Sequence, residues 1–198
     1  MVVRLGGTGG LLEEFFDRTL RRLRKKAIKL YFACPADFNR WLTHIFSVEN
    51  EKLNKALDEI CAIALSKGLK FKRPEIRMIH RGLAEIKKKR SSGKVIGRIA
   101  GTTIGGDLIL VYSKFVDEFS NMELAVLVAH EFGHILDYQT KRQGHPLFES
   151  IRHLDLDVEI FADAVASYLY SKIVAITVSK KCGFPINENV ILRLNLNV

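Results

Sequence analysis

The chain has 198 residues, 47% hydrophobic and 27% charged, with 31 Lys+Arg against 22 Asp+Glu and a formal net charge of +9. That balance is ordinary for a globular domain with a sizeable core and argues against intrinsic disorder. Three widely separated cysteines, Cys34, Cys61 and Cys182, make neither a C-x-x-C metal pair nor a disulfide framework, and the opening residues lack the apolar core of a signal peptide, so a cytoplasmic location is expected.

The charge is unevenly placed: residues 1–90 hold 21 Lys+Arg and 10 Asp+Glu, whereas residues 91–198 hold 10 and 12. Gly6 to Gly10 form a glycine-rich leader that is neither a dinucleotide fingerprint nor a P-loop. From Leu11 to Ala33 apolar residues recur at helical spacing, with Arg18, Arg21, Arg22, Arg24, Lys25, Lys26 and Lys29 on the opposite face. Such a face is either the solvated side of an amphipathic helix or an electrostatic site for nucleic acid, anionic lipid or an acidic partner. Pro35 stops this helix, Asp37 caps a short second one, and Ser47 to Leu69 reads as a third. Residues 1–69 are thus expected to form a basic helical N-terminal region, and residues 70–198 a separate core.

The pattern changes near Lys70. Glu75 to His80 alternates as a half-buried strand should, and Lys94–Thr103 and Asp107–Tyr112 read as two more strands. Gly97 and Gly101 mark the first of that pair as an edge where another backbone can come close. Gly82 to Arg90 is ambiguous between a short helix and irregular chain. Ser120 with Glu123 three residues later is a capping box, so a helix starts at Asn121 and ends near Asp137–Tyr138. A polar connection from Gln139 to His153 follows, then a long helix from Asp155 to about Ser179 and an alternating C-terminal strand, Val190 to Val198. The apolar run from Phe161 to Val178 contains Asp163 and Lys172 and reads as a buried helix, so no membrane span is expected.

Within the capped helix stands His130-Glu131-Phe132-Gly133-His134, an H-E-x-x-H motif. Residues four apart lie one turn above each other, so both imidazoles can address one metal ion, and Glu131 can take a proton from the water that ion activates. A catalytic zinc site needs a third protein ligand. The metzincin solution fails, because the positions it requires are Asp137 and Thr140. Glu159 is the best remaining candidate, with Asp163 one turn further on, where it can accept a hydrogen bond from the outer nitrogen of a ligand histidine.

With H-E-F-G-H at His130–His134 and E-I-F-A-D at Glu159–Asp163, the chain resembles the gluzincin metallopeptidases, notably the minigluzincins, and the helix pair of ImmA/IrrE-type peptidases. The resemblance covers roughly Glu75 to Ser179. It implies an α+β fold: a zincin-like core with a small mixed sheet packed on an active-site helix and a third-ligand helix, preceded by the helical N-terminal region. It implies Zn2+ held by His130, His134 and Glu159, with Asp163 behind a ligand histidine and Glu131 as general base. The substrate would be a peptide or protein laid along the Ile96–Thr103 edge, and the C-terminal segment could hold the enzyme latent by occupying that edge. His145, His153 and Tyr138 are candidates for oxyanion stabilisation. The alternative is a zinc-containing regulatory or binding protein whose basic N terminus engages nucleic acid or an acidic partner.

Overall fold

A computed structural model describes residues 47–79, 101–104, 106–152, 157–184 and 186–196. The chain divides into two compact units, Met1–Ile45 and Phe46–Val198, and every described residue belongs to the second. The basic helix expected over Leu11–Ala33, the ambiguous segment 82–90 and strand residues 94–100 lie outside the described residues.

The second unit opens with β1 (Ser47–Val48) and α1 (Glu51–Ser66). Asn50 sets this boundary, because its side chain accepts the Leu53 amide at 3.1 Å as an N-cap. Ser47 and Val48, expected as the first helical turn, instead pair antiparallel with β2 (Glu75–Ile79). Leu53, Leu57, Ile60 and Ala64 recur on one face of α1 and are fully buried. That helix, which the sequence groups with the N-terminal region, is therefore part of this core.

The sheet has the order β1-β2-β4-β3, with β3 at Gly101–Ile104 and β4 at Leu108–Tyr112. β2 and β4 run parallel, and the two outer pairings are antiparallel. A mixed sheet of this kind places its most apolar strand inside, and β4 is buried from Leu108 to Val111. β3 is one of the two sheet edges among the described residues, as expected for the strand that carries Gly101.

From β4 the chain passes through α2 (Ser113–Glu118) into α3 (Asn121–Thr140). The expected capping box is present: the Glu123 amide donates to Ser120 Oγ, and the Ser120 amide donates to Glu123 Oε2 at 2.8 Å. From Glu123 to Leu136 every residue of α3 except His130 and His134 is buried, as its apolar run Leu124–Ala129 requires. The mixed α+β class and the small mixed sheet beside this helix match expectation.

Three further regions differ from the sequence reading. The polar connection contains α4 (Pro146–Arg152), where Pro146 starts the helix and His145 Nδ1 accepts the Leu147 amide at 3.1 Å. Its Leu147, Phe148 and Ile151 are buried in the core. The single long helix is two, α5 (Val158–Tyr170) and α6 (Lys172–Cys182), broken at Ser171, whose φ of 128° is incompatible with helix and whose hydroxyl caps α6. The C-terminal strand is a helix, α7 (Glu188–Arg193), followed by extended residues. Asn187 caps it, and Ile191 and Leu194, three apart, turn into the core while Leu192 stays half exposed. Lys172 Nζ donates to the carbonyls of Leu192 and Leu194, fixing the segment against α6 instead of the sheet edge. Among the described residues no helix is long and apolar enough to cross a membrane.

Candidate metal centre

α3 and α5 pack as antiparallel neighbours: His130 meets Asp163, and His134, one turn later, meets Glu159, one turn earlier. Gly133 makes the approach close. A Cβ there would lie 2.6 Å from the Ala162 Cα, so only glycine lets the two helices come this near. The site is thus built from one turn of each helix, brought together at a crossing with no room for a side chain.

His130 Nε2 lies 3.3 Å and His134 Nε2 3.6 Å from the same oxygen, Glu159 Oε2. The three ligand atoms all fall within 4.8 Å of one another, and they form the one such group among the described residues. Glu159 stands in the first turn of α5, just after Asp157, whose carboxylate accepts the Glu159 amide at 2.8 Å. Its side chain is 67% exposed, so the site opens to solvent on this side. Behind His130, Asp163 Oδ1 accepts from Nδ1 at 2.8 Å. With Nδ1 so engaged, Nε2 is the nitrogen turned towards Glu159 and available to a metal.

Burial disfavours a charge on His130, yet the hydrogen bonds to Asp163 and Glu159 and the nearby Glu131 outweigh it, raising its pKa to about 10. Hydrogen bonds from His130 and His134 hold the Glu159 carboxyl well below the ordinary carboxylate range. Burial pushes Glu131 up, against the pull of both imidazoles. The Glu159 carboxylate facing both imidazole nitrogens is a donor set that a cation could take in place of the shared protons.

Glu131 is the most constrained member. It is buried, and among the described residues its Oε2 has no hydrogen-bond partner. On its other side Gly101 of β3 comes so close that a Cβ would stand 2.8 Å from Oε1. A buried carboxylate oxygen without a donor is costly unless something outside the chain supplies one. The His2Glu donor set fits zinc, which in such sites keeps an open position for water. A water held there would give Glu131 Oε2 its missing donor.

Every sequence-predicted ligand, together with Glu131 and Asp163, is therefore gathered in one place. The two oxyanion candidates among the described residues make other contacts. His145 is buried with both nitrogens engaged, Nε2 by the Lys67 carbonyl and Nδ1 by the Leu147 amide. Tyr138 is 58% exposed, with its ring over Gly106 and the Lys141 ammonium 4.4 Å from its centroid. His153 lies outside the described residues. Sequence reasoning missed the two spacer glycines, Gly101 and Gly133, as parts of the site; the signal for the second was the glycine inside the motif itself. Comparison with protein-family models, with curated proteins and with solved structures finds no match.

Proposed function

We propose that this chain is a zinc-dependent peptidase of the gluzincin type, with His130, His134 and Glu159 as ligands, Asp163 orienting His130, and Glu131 as general base. The observation that carries this reading is the pairing of three converging ligand atoms with a buried non-ligand carboxylate oxygen that has no donor. A merely structural four-ligand zinc site would have no use for such a group.

When bound, zinc supplies Lewis acidity and a water of lowered pKa. Glu131 would be the residue that takes a proton from a water held there and hands it to the leaving nitrogen. Its raised pKa suits a group that must first accept and then donate. Asp163 keeps the His130 ring in one tautomer and orientation. An extended peptide added to the edge strand β3 would run past Gly101, whose missing side chain leaves Glu131 within reach of the scissile bond.

The test is metal content and peptide cleavage on the wild type and Glu131→Ala. The expected result is one zinc per chain in both proteins, with hydrolysis in the wild type only, at a loss of at least roughly 100-fold in the variant. Loss of zinc from Glu131→Ala, or full zinc affinity in Glu159→Ala, would show the ligands to be wrongly assigned.

A further inference from the structure

Beyond His134 the last turn of α3 carries Asp137, and the chain then leaves the helix through two consecutive left-handed residues. Neither is glycine: Lys141 has φ 52° and Arg142 φ 57°. This conformation is disfavoured for residues with a side chain, and two in succession require a compensating contact. The contact is made by Arg142. Its Nε donates to Asp137 Oδ1 at 2.8 Å and its Nη2 to Oδ2 at 3.1 Å, a two-pronged ion pair. The guanidinium also lies 4.6 Å from the centroid of the Phe161 ring. Phe161 is fully buried and stands two residues after Glu159.

An exposed ion pair contributes little to any structure, but this one differs in three respects. Both side chains are only about one-fifth exposed, the geometry is bidentate, and the cation is stacked on a core aromatic ring. It joins the turn of α3 after His134 to the turn of α5 that bears Glu159. Glu159 itself is mostly exposed and close to a helix end, so its place depends on how that end is held.

We infer that Arg142 is a positioning residue for the metal centre, bracing the first turn of α5 against the last turn of α3 so that Glu159 stays within reach of both histidines. The inference rests on the metal-site reading above and concerns zinc affinity independently of catalysis. Lysine cannot replace arginine here, because it has neither the planar fork nor the stacking face.

The experiment uses the full chain, stripped of metal and titrated with Zn2+ against a chromophoric chelator, with the Co2+ visible spectrum as a report of ligand geometry. Variants are Arg142→Lys, Arg142→Ala and Asp137→Asn, each measured at a temperature where circular dichroism shows it folded. Arg142→Lys should bind zinc about 10- to 100-fold more weakly, the usual effect of losing an outer-shell support, and should alter the Co2+ spectrum. Asp137→Asn should act in the same direction, and the Asp137→Asn/Arg142→Lys double variant should be less than additive. Zinc affinity within twofold of wild type in Arg142→Lys, with an unchanged Co2+ spectrum, overturns the inference even if the melting temperature falls. Should Arg142→Ala not fold, the lysine variant decides, since it keeps the charge and the aliphatic stem. A wild type that binds no zinc would sink both this inference and the metal-site reading, and that arm is measured first.

Discussion

Gly133 sits between the two histidines, and its missing side chain sets the spacing of the site. In an exposed helix, replacing glycine by alanine gains about 1 kcal/mol. Here the new methyl would meet the Ala162 backbone at 2.6 Å, and backbone cannot rotate away. Overpacking of this kind costs about 1–3 kcal/mol, so the clash outweighs the propensity gain. Gly133→Ala is therefore expected to lower stability by up to about 2 kcal/mol, measured by urea unfolding, and to weaken zinc binding as α5 is pushed outward. A stabilised variant would mean the helices are not in such close contact. The histidines and Glu131 were legible because H-E-x-x-H fixes their spacing on one helix, and Glu159 and Asp163 because they share one helical face. Gly101 was read only as an edge-strand glycine; its meeting with Glu131 joins residues thirty positions apart, which no local pattern records.

At the scale of the element, α3 depends on its N-terminal cap. Glu123 is buried at 8% exposure, hydrogen-bonded to Ser120 and paired with Lys181 of α6. Hydrogen bonds from Lys181, then from Ser120, lower its pKa to about 2. A carboxyl with a depressed folded-state pKa contributes stability that is full above its unfolded value, near 4.5, and is lost as pH falls towards 2. Lys181 is largely exposed, so solvent screening reduces the contribution of its ion pair, and the cap itself sets the scale. Glu123→Ala should cost about 1 kcal/mol at neutral pH. Wild type and variant should converge in stability between pH 4.5 and pH 2, read by thermal melts across that range. A constant difference down to pH 2 would contradict the cap. The α3 start was readable because a capping box is a local signal. The break at Ser171 was not, since apolar residues continue across it and its φ of 128° leaves no local sequence signal.

For the molecule as a whole, the C terminus is part of the core and not a strand at the sheet edge. The alternation of Leu192, Leu194 and Leu196 reads as strand within Val190–Val198, but the cap at Asn187 and the burial of Ile191 and Leu194 favour a helical turn. Tertiary burial overrode a short periodic pattern. Ile191, Leu194 and Leu196 are each at most 7% exposed, and burying such side chains contributes about 1.5–3 kcal/mol apiece. Truncation after Gly183 should therefore lower the melting temperature by about 10 °C or more. Peptide cleavage should fall with it, whereas a rise in cleavage without loss of stability would restore self-inhibition by the tail.

The position of Glu159 near the start of α5 also bears on how fast a metal could come and go. Helix ends open locally far more readily than helix centres, and His130 and His134 lie well inside a buried helix. On the metal-site reading, two ligands are anchored for the lifetime of the fold, while the third rides on an end turn held by its Asp157 cap and by the Arg142 contact with Phe161. Zinc exchange would then be gated by that single turn, with no need for global unfolding. A chelator should accordingly strip the metal in a single phase much faster than the protein unfolds.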